Sequence, residues 1–313
     1  MQESGFSLTT GDGVALWVYR WLPSGEPRAL VQIVHGLAEH AGRYQRLAEA
    51  LTLCGYGVYA CDLRGHGRTA KVPSDLGHLA DRGGWQKCLD DLRQVQLRMA
   101  ADYPGKPVIL LGHSMGSTLA RDFMARYGGD LAGVVLSGSS GQPTPLASAG
   151  RLVARLARLR RGARGHSRML QSLSFDAFNR KFEPARTKFD WLSRDPVEVD
   201  KYVADPLCGF SASTQLWIDL LDAWAHIARK SSLAAVPRSL PVYVISGTHD
   251  PVSAGTNAIG PMLARYQDAG LQRVEHRFYP EGRHELFNEI NREEVTRNLI
   301  AWLDSVIGKN RGP

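Results

Sequence analysis

The sequence predicts an α/β fold, in which a mostly parallel central sheet has helices on both faces and carries an inserted helical cap. Up to residue 137, short apolar strands alternate with helix-length amphipathic segments, as in parallel sheets. From about residue 141 the strands stop and Arg, Ala and Leu recur at helical spacing, and strands return only at Pro241. We therefore predict a core of residues 1–140 and 237–313, with a cap or lid of residues 141–236 inserted between its two parts.

Each element of the core follows from an apolar run bounded by turn residues. The chain begins with a hairpin, because Gly11-Asp-Gly13 separates two strand-like segments. Further strands are predicted at 29–34, 57–61, 107–111, 133–137, 241–247 and 274–279. Helices are predicted at 44–54, 85–102 and 118–127. Since the carboxyl ends of parallel strands share one edge, the loops that follow these strands are expected to meet there.

The composition suits one large domain in a reducing compartment. With 313 residues, 43% of them hydrophobic, the chain can bury a sizeable core. No apolar run approaches the roughly 18 residues of a membrane span, and no signal-like leader opens the sequence, so a cytoplasmic protein is predicted. The cysteines show no C-x-x-C spacing, which favours free thiols and implies no metal site: Cys54, Cys61, Cys88 and Cys208.

A serine nucleophile is predicted where an apolar strand runs into a helix. The segment Gly112-His-Ser-Met-Gly116 has the pattern G-x-S-x-G directly after a predicted strand. In that context the turn exposes the hydroxyl of Ser114 at the carboxyl edge of the sheet. The pattern alone also occurs by chance, and its position between strand and helix is what favours a nucleophile.

A serine hydroxyl needs a base to take its proton and an acid to orient that base. On this architecture the acid follows the serine along the chain and the histidine comes last. Asp250 and His284 lie in the loops after the last two predicted strands, at the edge that carries Ser114. His276 sits inside a strand and His249 precedes the acid, which makes both weaker candidates. The alternatives are a turn residue for Asp250 and a surface histidine for His284.

Two backbone N–H groups are predicted to stabilise the oxyanion of the reaction. The first belongs to Met115, directly after the nucleophile, and the second to Leu37, in the loop after the first core strand. Gly36 would let this loop approach a substrate carbonyl, although a plain turn explains it as well.

With these residues in place, the chain resembles the α/β-hydrolase superfamily, specifically the monoacylglycerol lipase and lysophospholipase branch of serine aminopeptidase-like hydrolases. The resemblance implies the α/β-hydrolase fold and a Ser114, His284 and Asp250 triad that needs no cofactor. Substrate does not follow from it, since the branch includes enzymes for glycerides, lysophospholipids and small esters. The matching segments are His35-Gly-Leu-Ala-Glu-His-Ala-Gly-Arg-Tyr44, Asp62-Leu-Arg-Gly-His-Gly-Arg68, Gly112-His-Ser-Met-Gly116, Ser246-Gly-Thr-His-Asp250 and Tyr279-Pro-Glu-Gly-Arg-His284.

The predicted function is therefore a serine carboxylic-ester hydrolase. Monoacylglycerols or lysophospholipids are the expected substrates, because a mostly apolar cap suits one aliphatic chain. A peptidase would need an anionic subsite for a free amine, which Asp219 or Asp222 could supply. A non-catalytic ligand-binding homologue would be expected to have lost part of its triad. His66, in the loop of tight turns at 62–68, is expected to be structural.

One cap segment, residues 213–230, places Trp217, Leu221 and Trp224 at helical spacing. Such a stripe usually packs within its own domain, and in a cap it can also line an acyl-chain pocket. These three residues are therefore candidates for the substrate pocket.

A second cap segment, residues 151–168, contains seven arginines and no acid. The whole chain has a charge of +7, so the remainder is near neutral and no nucleic-acid surface is expected. Leu152, Leu156 and Leu159 form a narrow apolar stripe among these arginines, typical of a helix that lies on an anionic membrane. A solvated helix packed on the cap is the alternative. Residues 190–210 receive no role from the sequence.

Overall fold

The computed structural model describes residues 1–309, with the side chains of all of them except 145, 146 and 309. They form an eight-stranded sheet with helices on both faces, which confirms the predicted α/β fold. The strands lie in the order β1-β2-β4-β3-β5-β6-β7-β8. Their bounds are β1 Gln2–Thr9, β2 Ala15–Leu22, β3 Ala29–Val34, β4 Tyr56–Cys61, β5 Val108–His113, β6 Gly133–Ser137, β7 Val242–Gly247 and β8 Val274–Tyr279.

The first two strands form the predicted hairpin, and β2 pairs with β4 in antiparallel fashion. From β4 to β8 all pairings are parallel. Every residue of β3 to β7 is buried, as expected for strands covered on both faces. Alternate side chains face opposite sides, so that Leu30 and Leu110 join one core while Val31 and Ile109 join the other.

Five helices of the core cover these two faces. Helices α2, α3 and α10 pack on one face, and α1 and α11 pack on the other. The bounds are α1 Gln45–Leu53, α2 Gly84–Asp102, α3 Met115–Tyr127, α10 Ile259–Asp268 and α11 Arg292–Lys309. This packing leaves the carboxyl edge of the parallel strands accessible to the loops and to the chain between β6 and β7.

The chain between β6 and β7 is helical in the residues that the structure describes, apart from loops and one bridge between His166 and Ser213. Its longest helices, α4 and α8, pack on each other, and α8 also packs on α3 behind Ser114. Residues 190–210 join a separate small aromatic core around Trp191 and Tyr202. The bounds are α4 Pro145–Arg161, α5 Arg168–Leu173, α6 Phe175–Asn179, α7 Pro196–Ala204, α8 Thr214–Ile227 and α9 Lys230–Ala234.

Within residues 1–309, no helix is both long enough and apolar enough to cross a bilayer.

Candidate active site

Ser114 lies on a sharp turn between β5 and α3. Its φ of 53° and ψ of −119° lie outside the regions that L-residues favour, a strain of about 1–3 kcal/mol that the surroundings must hold in place. Two close approaches explain the flanking glycines. A Cβ on Gly112 would lie 2.3 Å from the carbonyl oxygen of Gly116, and a Cβ on Gly116 would lie 2.1 Å from that of Val34. The G-x-S-x-G pattern therefore reflects a steric requirement of this turn.

Asp250 and His284, from the loops after β7 and β8, meet beneath the same edge. Their side chains are buried, and His284 Nδ1 lies 3.0 Å from Asp250 Oδ1. That oxygen also accepts a bond of 2.9 Å from the N–H of Val252. If Nδ1 carries the proton that Asp250 accepts, Nε2 has its lone pair free to act as a base.

The net effect of its surroundings raises the pKa of His284. Burial lowers this pKa, but the charge of Asp250 and its hydrogen bond raise it, with smaller contributions from Glu285 and Glu39. Its neighbour His113 behaves differently, because burial and the charge of His284 lower the pKa of His113 to about 4. Of these two histidines, His284 is the one with an acid partner and a raised pKa.

Ser114 and His284 line one small cavity of about 20 Å³. Within residues 1–309, no hydrogen bond joins their side chains, although general-base catalysis requires such a contact. Hydrogen bonds of this kind are often long without substrate and tighten in the substrate complex.

The residues predicted to bind an oxyanion through their backbone N–H groups, Leu37 and Met115, lie beside Ser114. Both residues line a larger cavity together with Ser114. Met115 is the first residue of α3, and the first N–H groups of a helix lack an intrahelical partner. In the described part of the chain, neither N–H donates to a protein group.

This larger cavity has a volume of about 250 Å³ and is lined mainly by apolar side chains. Its walls come from α3, α4, α5, α6 and α8, so most of the lining belongs to the chain between β6 and β7. The structure places Trp217, Leu221 and Trp224 in this lining. The Trp224 indole is fixed by a bond of 2.8 Å to the carbonyl of Gly141.

The two carboxylates considered for a peptidase face elsewhere. Asp222 pairs with Arg151 and Arg155, and Asp219 accepts a bond from Gln215. Neither residue is in the lining of the two cavities that reach Ser114.

The other histidines weighed from the sequence, His66, His249 and His276, line neither cavity. His249 and His276 are exposed, in agreement with their lower ranking as bases. His66 is buried against His35 and Phe210, and burial lowers the pKa of both His35 and His66 to about 3. The loop that carries His66 is held instead by Asp62, which accepts from the N–H groups of Ala41 and Arg68.

A buried ionic cluster beside the site was missed by sequence reasoning. Arg43 pairs with Glu39 and Glu285, and Tyr202 stacks on its guanidinium. The available signal was charge in an apolar setting, because Glu39 and Arg43 follow a buried strand and Glu285 follows His284. Charged residues are rarely buried unless they are paired.

One group of possible metal ligands occurs in the described residues: His40, Asp205 and Cys208, whose ligand atoms lie within 4.8 Å of one another. His40 Nε2 and Asp205 Oδ2 already form a hydrogen bond of 2.9 Å, and burial raises the pKa of the Cys208 thiol. These contacts fit a hydrogen bond that ties the end of α7 to the loop after β3. All four cysteines are unpaired.

The outer surface of α4 exposes three leucines among arginines. Leu152, Leu156 and Leu159 are 61%, 48% and 83% exposed. Of the predicted surrounding arginines, Arg151 and Arg155 bind Asp222, and Arg158 donates to the carbonyl of Asp81. No salt bridge in the described chain involves Arg160, Arg161 or Arg168.

Comparisons with known proteins identify the family of the chain. The family model of serine aminopeptidases, S33, matches residues 25–291. Monoacylglycerol lipase of Mycolicibacterium smegmatis is 30% identical over 311 residues, covering 97% of this chain and 98% of that protein. Human monoglyceride lipase is 33% identical over 306 residues, covering 94% and 91%.

Solved structures agree on the fold. A thermostable carboxyl esterase from Bacillus coagulans, in complex with glycerol, has a TM-score of 0.90 at 28% identity, covering 98% of this chain and 99% of that one. A soluble variant of monoglyceride lipase from Saccharomyces cerevisiae has a TM-score of 0.74 at 20% identity, covering 98% and 95%. The chain therefore belongs to the serine aminopeptidase S33 family of α/β-hydrolases and is a serine ester hydrolase.

Proposed function

We propose that the protein hydrolyses lipids with one acyl chain, monoacylglycerols before lysophospholipids, through a Ser114, His284 and Asp250 triad. The observation that carries this proposal is the position of Ser114, which lines both a larger apolar cavity and a small polar one. An ester whose carbonyl sits at Ser114 would place its acyl chain in the first cavity and point its alcohol towards the second, which would have to widen because its 20 Å³ holds about one water molecule.

The proposed reaction proceeds through an acyl-enzyme. His284 Nε2 takes the proton of Ser114 as Oγ attacks the ester carbon, and the Leu37 and Met115 N–H groups bind the oxyanion. The intermediate collapses, the alcohol leaves with the proton from His284, and Ser114 carries the acyl group. A water molecule activated by His284 then attacks the acyl carbon, and the fatty acid is released. No cofactor takes part in this scheme.

The charges beside the small cavity favour a neutral alcohol such as glycerol as the leaving group. This cavity is lined by Glu39 and Glu285, whereas Arg43, which pairs with both, is not part of its lining. Two carboxylates against one guanidinium leave one net negative charge near the alcohol, which disfavours a phosphate group. Relatives named monoacylglycerol lipase and monoglyceride lipase support a monoacylglycerol substrate.

Residues 141–236 are proposed to act as a cap over the active-site edge. Support comes from the lining of the apolar cavity, most of which this segment supplies. The exposed leucines of α4 and the arginines beside them support peripheral contact of residues 151–168 with an anionic membrane. We place the enzyme in the cytoplasm, where its unpaired cysteines would stay reduced.

The test compares a monoacylglycerol, a lysophospholipid with the same acyl chain and an amino-acid anilide at equal concentration. We expect fastest hydrolysis of the monoacylglycerol, slower hydrolysis of the lysophospholipid and none of the anilide. Fastest hydrolysis of the anilide would favour a peptidase. Equal rates for the two lipids would contradict the proposal that a net negative charge near the alcohol disfavours a phosphate group.

A further inference from the structure

A buried chain of ion pairs connects the two sides of the active site. Arg43 binds Glu285 through two parallel bonds, Nη1 to Oε1 at 2.6 Å and Nη2 to Oε2 at 2.7 Å. The same Nη1 donates to Glu39 Oε2 at 2.9 Å. All three side chains are at most 11% exposed. Such two-bond pairs fix both distance and orientation.

One end of this chain holds the oxyanion loop. Glu39 Oε1 accepts a bond of 2.6 Å from the N–H of Gly36, directly before Leu37. Tyr202 packs on the Arg43 guanidinium at 4.8 Å, and its hydroxyl donates to the carbonyl of Ala38 at 2.8 Å. Ala38 has a φ of 59°, so the loop adopts a conformation that these bonds must maintain.

The other end holds the catalytic histidine. Glu285 is the next residue after His284, so a displacement of its side chain moves the backbone that carries the imidazole. The N–H of Glu285 also donates to the carbonyl of Leu192 at 2.8 Å. Burial raises the pKa of Glu285, but the charge of Arg43 and its hydrogen bonds lower it to about 2, so the pair is ionised at neutral pH.

We propose that Arg43 and Glu285 are positioning residues that hold His284 and the Leu37 N–H in one fixed arrangement. They act through these two groups and take no part in bond making. The proposal rests on the proposed triad, and it assigns a role to residues that touch neither Asp250 nor the hydroxyl of Ser114.

The cluster also acts on His284 electrostatically. The charges that face His284 are those of Asp250, Glu285 and Glu39, all of which raise its pKa. Arg43 offsets one of these carboxylates, and the neighbouring ring of His113 stays neutral because its pKa is lowered to about 4. Removing the charge of Glu285 should therefore lower the pKa of His284. An equally buried ion pair far from His284 would have no such effect.

The test is Glu285→Gln, measured by kcat and KM on a soluble short-chain ester across pH. We expect kcat to fall by about 100-fold, as for a misplacement near 1 Å, with KM within about twofold of the wild-type value. The acid limb of the kcat profile should move to lower pH. An NMR titration of the His284 imidazole reports the same shift without any turnover.

Asp91→Asn is the matched control. Asp91 is equally buried and binds Arg64 through two bonds of 2.5 and 2.8 Å, but it lines neither cavity. It should lose stability while keeping the wild-type kcat and acid limb. If Glu285→Gln behaves like Asp91→Asn, the proposal is wrong.

Arg43→Lys gives a second, independent decision and also serves if Glu285→Gln does not fold. It keeps the charge and loses the two-bond geometry, so kcat should fall while the acid limb stays at the wild-type pH. A wild-type kcat in Arg43→Lys would overturn the proposal. Failure of the triad itself is recognised separately, by an undiminished rate in Ser114→Ala.

Discussion

His284 Nδ1 and Asp250 Oδ1 share a hydrogen bond of 3.0 Å, and both side chains are buried. A carboxylate in this position fixes the tautomer of the imidazole and stabilises its charged form. We expect Asp250→Asn to lower kcat by about 10⁴-fold, because the amide would favour the wrong tautomer. The measurement is kcat on a soluble ester, together with the melting temperature. A loss below about tenfold in a stable variant would identify a different acid.

The same pair determines the expected pH dependence. The pKa of His284 lies above its ordinary 6.5, since Asp250 outweighs the effect of burial. The base is the deprotonated imidazole, so hydrolysis should rise with pH through a limb centred above pH 6.5. In Asp250→Asn this limb should move to lower pH. A wild-type limb below pH 6.5 would contradict the raised pKa.

The raised pKa also affects stability, with a defined sign. A histidine that binds its proton more tightly when folded stabilises the fold below its unfolded pKa. This contribution is lost as the pH rises through the folded pKa. The pKa of His113 is shifted in the opposite direction, so this residue contributes the opposite pH dependence. Measuring the free energy of unfolding against pH in wild type and in Asp250→Asn should therefore isolate the contribution of His284.

Gly116 is expected to tolerate no side chain. A Cβ there would lie 2.1 Å from the carbonyl oxygen of Val34 and 2.5 Å from that of His35, so Gly116→Ala should displace the oxyanion loop. We expect a loss of about 3 kcal/mol in the free energy of unfolding, measured by urea denaturation. Gly260→Ala, where nothing lies within 4 Å, is the control and should change stability by less than about 1 kcal/mol. Equal stabilities of the two variants would contradict the steric requirement.

The preference of the enzyme for acyl chains of a given length should depend on Leu221. This residue lines the apolar cavity, and Leu221→Trp would fill part of its volume of about 250 Å³. We expect kcat/KM to fall for long-chain monoacylglycerols and to change little for an acetyl ester. Leu97→Trp, at an exposed position on α2, is the matched control. A uniform loss across chain lengths would indicate a folding defect.

Much of the core could be predicted, because its signals are local. Predicted and observed strands agree within one residue at most ends, since apolar runs bounded by Gly and Pro specify buried parallel strands. The turn at Ser114 could be predicted for the same reason, as its two glycines lie beside it in sequence. The meeting of Asp250 and His284 could be predicted from the rule that the carboxyl ends of parallel strands share one edge.

The charged residues of the ionic cluster were visible in the sequence, but their pairing could not be predicted, because the partners are distant along the chain. Arg43 and Glu285 lie 242 positions apart, and no periodicity relates them. The partners of the arginines on α4 could not be predicted from the sequence either. Arg151, Arg155 and Arg158 have the spacing of a lipid-facing stripe, yet the structure places them against Asp222 and the carbonyl of Asp81.

Membrane contact should therefore depend on the leucines of α4 and on the arginines outside these bonds. We expect replacement of Leu152, Leu156 and Leu159 by Gln to reduce binding to vesicles of phosphatidylglycerol and phosphatidylcholine in co-sedimentation. Replacing Arg160 and Arg161 by Gln should weaken the free energy of vesicle binding by up to about 1 kcal/mol for each residue. Added salt should reduce this difference.

The control for this experiment replaces Leu53 and Leu97, which are exposed elsewhere, by Gln. It should bind vesicles as the wild type does, and all variants should hydrolyse a soluble ester at the wild-type rate. Equal sedimentation of every form, independent of salt, would reduce α4 to a solvated helix.

The most direct test of the proposed mechanism is monoacylglycerol hydrolysis by Ser114→Ala, combined with mass analysis of the wild type after reaction with a long-chain phosphonate. We expect turnover to fall by about 10⁵ to 10⁶-fold in a variant that keeps its melting temperature. The phosphonate should add one adduct to the wild type, on the peptide that contains Ser114, and none to the variant. Wild-type turnover in Ser114→Ala, or an adduct on another residue, would contradict the assignment of Ser114 as the nucleophile.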